Sequence, residues 1–106
     1  MSYSVIILAG GFGSRLKSIS NGIPKALMPI GSRVYLDFLL EKIFLYNISH
    51  VHLSLYYKPD IFVKYIENSN YKDKLSYLVE PKPLGTGGAI NFVINRSDIS
   101  SPFFVI

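Results

Sequence analysis

Val5-Ile6-Ile7-Leu8-Ala9-Gly10-Gly11-Phe12-Gly13-Ser14-Arg15-Leu16-Lys17 sets a short apolar run directly against a glycine-rich, basic one. The run Val5 to Ala9 is far too short to span a membrane and suits a strand covered on both faces, as in a parallel sheet. Three glycines in four positions, Gly10, Gly11 and Gly13, let the backbone turn sharply and bring several N–H groups near a ligand. Successive N–H groups facing one concavity, with Arg15 and Lys17 just beyond, form a cradle for an anion. The alternative for such a stretch on its own is a tight turn carrying solvated charges.

The rest of the chain fits a fold built on that strand. Leu36, Leu39, Leu40, Ile43 and Phe44 recur at helical spacing and predict one apolar stripe, with Asn47 as a left-handed residue just past the end. His50 to Leu55 alternates strictly and predicts a second strand. His50 and His52 would share one face of it, and with no third ligand in view they read as ordinary strand histidines rather than a metal pair. Ile61 to Glu67 predicts a short helix with Phe62, Tyr65 and Ile66 on one side. Leu75 to Val79 predicts a third strand, and Thr86 to Asn95 a helix with Ala89, Ile90, Val93 and Ile94 facing inward. Phe103 to Ile106 begins a fourth strand. Tyr56, Tyr57, Tyr65, Tyr71 and Tyr77 are scattered and suit packing rather than base stacking. Residues 10–33 read as a long connection without periodicity of its own, which in a small domain points to function. The order β-α-β-α-β-α-β predicts an α/β, Rossmann-like, doubly wound and mainly parallel sheet with helices on both faces. Ligands of such sheets lie beyond the carboxyl ends of the strands. The glycine turn and a second glycine-rich stretch, Glu80 to Gly88, both fall there.

Charge placement narrows the ligand. The formal net charge is +4, and Arg15, Lys17, Lys25 and Arg33 all precede the first acidic residue, Asp37. From Asp37 onward seven basic residues balance seven acidic ones, so the whole excess sits in the glycine-rich segment and its continuation. That pattern argues for a local anion site and against a nucleic-acid surface, which spreads along a face. With no cysteine, a disulfide framework and a thiolate metal site are excluded. No apolar stretch is long enough for a membrane span or a secretory signal, so a cytoplasmic protein is expected.

Two common nucleotide loops fail on spacing. A P-loop needs Gly-Lys-Ser/Thr, and no Gly-Lys pair occurs; a dinucleotide fingerprint needs glycine where Leu16 stands. What is present is Gly-Gly-x-Gly-Ser-Arg-Leu followed by Pro24-Lys25, and later Glu80-Pro81-Lys82-Pro83-Leu84-Gly85-Thr86-Gly87-Gly88-Ala89. From about Val5 to the last residue the chain resembles the sugar-1-phosphate nucleotidylyltransferases, whose usual first motif has Thr where Ser14 stands.

The resemblance implies attack by a sugar 1-phosphate on the α-phosphorus of a nucleoside triphosphate, GTP being favoured, with release of pyrophosphate. The nucleophile is already ionised, so the demand is to align two polyanions and neutralise charge rather than to supply a base. It implies that Gly10, Gly11, Gly13 and Ser14 wrap the phosphates, that Arg15 grips the leaving pyrophosphate and that Lys25 reaches the phosphates. Leu8 and Ala9 would approach base and ribose through backbone atoms, while Glu80, Gly85, Thr86 and Gly87 would meet the base. Glu80 is expected to select guanine, whose neighbouring N1–H and N2 amino group match one bidentate carboxylate. Lys17 is expected to be a solvated surface residue, and the other reading of Gly85 to Gly88 is a helix start capped by Thr86.

The resemblance also implies Mg2+, with its carboxylate ligands and most of the sugar site beyond residue 106. Residues 1–106 are accordingly expected to be the N-terminal, nucleotide-binding part of a nucleotidyltransferase domain, inactive alone. Oligomeric state is left open. The alternatives are a uridylyl- or thymidylyltransferase of the same family, a nucleotide-binding regulatory domain without turnover, and a dinucleotide-binding oxidoreductase domain. Retention of Arg15 and Lys25 speaks against the second, and the glycine spacing against the third.

Overall fold

In the computed structural model, residues 2–10, 23–97, 99 and 103–106 are described. Strand β1 (Tyr3–Leu8) is followed, after a 3-10 turn at Lys25–Leu27, by the two-residue strands β2 (Pro29–Ile30) and β3 (Arg33–Val34). Helix α1 (Tyr35–Ile43), β4 (Ile48–Leu55), α2 (Pro59–Glu67), a second 3-10 turn (Lys72–Lys74), β5 (Leu75–Val79), α3 (Gly85–Arg96) and β6 (Phe103–Val105) complete the chain. The main sheet runs β5-β4-β1-β6 with every neighbour parallel, so the first strand in sequence is an interior strand in space. The expected doubly wound parallel architecture is therefore present.

Side-chain alternation divides the sheet into two unlike faces. Val5 and Ile7 of β1, Val51, Leu53 and Leu55 of β4 and Leu75 of β5 point to one side. There they pack with Leu36, Leu40 and Ile43 of α1 and Phe62 and Ile66 of α2. The two helices present apolar stripes at i, i+4 and i+7 or i and i+4, the spacing that keeps one helix face toward a sheet. The other face, under α3, carries Ile6 but also Ser4, His50, His52, Ser54 and Ser76. At the edge of the apolar side, Asp37 accepts hydrogen bonds from the Val34 backbone N–H (2.9 Å) and the Tyr65 hydroxyl (2.6 Å), tying the start of α1 to α2.

Three expectations need correction. Asn47 is not left-handed: the helix ends through i→i−3 bonds from Leu45 and Tyr46, and the Asn47 carbonyl accepts from Tyr3 N–H at 2.9 Å. The non-glycine residue that does take a positive φ, among those described, is Lys58 (φ 48) before Pro59. Ile94 is 40% exposed, because α3 lies on the sheet along Ala89 and Val93, and Ile94 falls one step further round the helix. The described part of residues 10–33 also has order of its own. The β2–β3 hairpin turns at Gly31 (φ 65), and Leu27 enters the apolar core. The Gly31-Ser32 pair was the turn signal for it.

Candidate nucleotide-binding site

The carboxyl end of β1 and the segment after β5 meet at one rim of the sheet. A cleft of about 300 Å3 is lined by Leu8 and Gly10 on one side and Glu80, Pro83, Leu84, Gly85, Thr86 and Ala89 on the other. Gly10, which opens the first glycine-rich stretch, therefore faces the second, far away in sequence. The opening turn of α3 borders this cleft, and the first N–H groups of a helix have no intrahelical acceptor, a local preference for negative charge. Gly85 takes a left-handed φ of 73, which admits glycine without the strain a side chain would bring. A second cleft, of about 320 Å3, shares Leu8 and adds Ala9, Pro24, Lys25 and Ala26.

Sequence reading thus named two groups that the structure brings together, Leu8 with Gly10, Glu80, Gly85 and Thr86, and Leu8 with Ala9 and Lys25. Gly87 stands exposed on the first turn of α3 and lines neither cleft. Gly11, Gly13, Ser14, Arg15 and Lys17 lie outside the described residues. The amide hydrogens of Leu8 and Ala9 are committed to Ile106 O and Ser54 O, both at 2.9 Å, so these two amides are already engaged within the sheet. Thr86 does not cap α3: the N-cap is Leu84, and no side chain of the cap residue closes the helix start.

Glu80 lines the cleft beside Gly85 and Thr86 and is held by hydrogen bonds. It is only 5% exposed, and its oxygens are already in use. Ser54 Oγ donates to Oε2 at 2.9 Å and the Leu84 backbone N–H donates to Oε1 at 3.1 Å, while Glu80 N–H donates to Leu55 O. Each carboxylate oxygen thus has one partner within the protein, while Glu80 also lines the cleft. Ser54 is the residue sequence reasoning missed, and it is fully buried. Its signal was the third polar position on the alternating face of β4, after His50 and His52. Those two rings lie 4.6 Å apart, and both meet the Ser76 hydroxyl, His50 Nε2 at 2.8 Å and His52 Nδ1 at 3.1 Å.

The described residues do not supply a Mg2+ site. Among them no group of three or more His, Cys, Asp or Glu converges, and the one carboxylate at the rim is bonded as above. No helix of the described chain is long and apolar enough to cross a membrane.

Comparison with known proteins identifies the family and the fold. A family model described as "Nucleotidyl transferase" matches residues 4–106. The chain is 42% identical over 85 residues to D-glycero-alpha-D-manno-heptose 1-phosphate guanylyltransferase of Campylobacter jejuni, covering 80% of this chain and 38% of that protein. It is 32% identical over 106 residues to mannose-1-phosphate guanyltransferase of Aspergillus oryzae, covering 95% of this chain and 29% of that one. Among solved structures, HddC from Yersinia pseudotuberculosis complexed with GMP-PN superposes with a TM-score of 0.84 at 39% identity, over 98% of this chain and 46% of that one. A UDP-glucose pyrophosphorylase superposes with a TM-score of 0.81 at 20% identity, a likeness of fold. The chain therefore spans less than half the length of each of these relatives.

Proposed function

Because the chain belongs to the nucleotidyl transferase family, we propose that it is the nucleotide-binding part of a sugar-1-phosphate guanylyltransferase. The reaction is attack by a sugar 1-phosphate oxygen on the α-phosphorus of GTP, yielding a GDP-sugar and pyrophosphate. The observation that carries this reading is the meeting of Leu8 and Gly10 with Glu80, Gly85 and Thr86 in one cleft at the carboxyl ends of parallel strands. The guanylyltransferases named above, and HddC with GMP-PN bound, favour guanine over other bases.

In this reading Gly10, Gly11, Gly13 and Ser14 wrap the phosphates, and the rim of Glu80 with Gly85 and Thr86 borders the base. Leu8 and Ala9 contribute backbone acceptors beside base and ribose. Arg15 stabilises charge that develops on the leaving pyrophosphate through its planar fork of donors, and Lys25 supplies a point charge from the neighbouring cleft. Mg2+ would enter with the triphosphate and would supply neutralisation of phosphate charge; no group of carboxylates or histidines to hold it converges among the described residues. The cytoplasm, where nucleoside triphosphates are plentiful, is the compartment this reading requires.

The test is kcat/KM for GTP, UTP, dTTP, CTP and ATP with a panel of sugar 1-phosphates in the full-length protein. GTP is expected to lead. Arg15→Ala is expected to raise the barrier by about 2.7–4 kcal/mol, comparable to losing one oxyanion donor, with Arg15→Lys recovering only part. A folded Arg15→Ala protein near full rate, or UTP equalling GTP, would refute the respective assignment.

A further inference from the structure

On spacing alone His50 and His52 read as ordinary strand residues; the directions of their rings add what spacing does not carry. Two residues apart on β4, they share the face under α3, and their ring centroids lie 4.6 Å apart. His52 is paired with Ser76 across β4 and β5. His50 Nε2 comes within 2.8 Å of the Ser76 hydroxyl and His52 Nδ1 within 3.1 Å. Two imidazole nitrogens therefore converge on one small oxygen. That hydroxyl carries a single proton, so it donates to one ring and accepts from an N–H of the other. Burial holds both rings below the ordinary 6.5, which keeps them in the neutral form that offers a lone pair at pH 7.

We propose that His50 and His52 are the protein ligands of a borderline transition-metal ion such as Zn2+ or Cu2+, with Ser76 positioning a water bound to it. Imidazole nitrogen suits these ions, whereas Mg2+ and Ca2+ take oxygen ligands and are poor occupants. An ion about 2.0–2.1 Å from each nitrogen takes the place of the two hydrogen bonds, and the Ser76 side chain turns to another staggered rotamer. One ring exchanges its tautomer so that both lone pairs face the ion, a step that changes no charge. His50 and Ser76 are only partly buried, which leaves a path for ion and water, while His52, 8% exposed, forms the inner wall. No third histidine, cysteine or carboxylate converges on the pair among the described residues, so solvent completes the shell. Such an open site is weaker than a closed four-ligand zinc centre. The inference stands on this cluster alone and does not depend on which nucleotide the protein binds.

The test uses the full-length protein, freed of metal by chelator and dialysis, with ZnCl2 as the probe in calorimetric titration. A binding event is expected that excess Mg2+ does not suppress, and the unfolding temperature should climb as Zn2+ is raised. His50→Gln and His52→Gln are each expected to weaken Zn2+ by about a hundredfold, and Ser76→Ala, which removes a supporting group, by about tenfold. Circular dichroism establishes that each variant is folded. A folded His50→Gln protein with unchanged Zn2+ affinity overturns the site, as does suppression of the binding event by Mg2+.

Wild-type protein decides the matter without any variant. Zn2+ is expected to protect His50 from carbethoxylation by diethyl pyrocarbonate, mapped by mass spectrometry. A His50 modified equally at saturating Zn2+, or no Zn2+ binding at all, overturns the proposal.

Discussion

The two faces of the sheet are built on different chemistry. Under α1 and α2 the strands present Val5, Ile7, Val51, Leu53, Leu55 and Leu75, a continuous apolar surface that needs only close packing. Under α3 the same strands present Ser4, His50, His52, Ser54 and Ser76 beside the apolar Ile6, and the face ends at Glu80. Parallel sheets are usually apolar on both sides. Here the burial of polar groups is offset one by one: Ser54 on Glu80, Ser76 between the two histidines, and no described buried side-chain polar atom without a partner. Apolar packing tolerates small shifts, whereas a hydrogen-bonded set holds one arrangement. The stiff, specific face is the one that leads to the cleft.

Breaking the apolar face should cost most. Phe62 is fully buried between α2 and the sheet, and Phe62→Ala is expected to destabilise by about 3–5 kcal/mol in urea unfolding. A loss under about 1 kcal/mol would mean that this face is loosely packed. On the polar face, Ser54→Ala removes little volume but leaves Oε2 of Glu80 buried without its donor. About 1–3 kcal/mol is expected, with Ser54→Ala close to neutral once Glu80 is also alanine.

The tie at the rim of the apolar side is smaller still. Tyr65→Phe removes the 2.6 Å bond to Asp37 and should cost about 1 kcal/mol. Burial pushes the Asp37 carboxyl up, but the Tyr65 hydroxyl, the Val34 N–H and the Arg33 charge outweigh it and hold the group below the usual carboxylate range. Asp37 therefore contributes stability that is present at neutral pH and lost as pH falls through its folded value. Tyr65→Phe should shrink that acid-side loss, which urea titrations at pH 7 and at low pH would read.

The gentlest effect is expected from the histidines. Burial depresses both His50 and His52 below the ordinary 6.5, and for His52 the charge of His50 adds to the effect. The folded state binds fewer protons than the unfolded chain, so stability is complete above 6.5 and declines as pH falls below it. His52→Asn keeps a polar atom near Ser76 and should flatten that decline. An unchanged pH profile would show that this part of the polar face does not exclude the charged form.

Elements set by periodicity were legible in the sequence, and contacts between them were not. Leu75 to Val79 is a strand with the expected bounds, and the stripe Leu36, Leu40, Ile43 is buried as its spacing requires. The alternation of β4 is equally plain, yet nothing local says which of its faces meets α1 and α2 and which meets α3. Both glycine-rich stretches could be assigned to the carboxyl rim because topology alone puts them there. The Ser54–Glu80 bond could not, since it arises from the pairing of Ser54 with Leu78 across β4 and β5. The β2–β3 hairpin escaped because two-residue strands carry no period, and only the turn at Gly31 hints at them.

The position of β1 has a kinetic consequence. It precedes the other described strands in sequence and is an interior strand of the sheet, with β4 on one side and β6, about a hundred residues later, on the other. Val5, Ile6 and Ile7 therefore leave the ribosome as an apolar strand with both edges open, and one edge stays open until Phe103–Val105 has been synthesised. Non-local pairing of this kind folds slowly, and unpaired strand edges are templates for association. Nascent chains stalled before β6 are thus the forms most exposed to aggregation and to capture by chaperones.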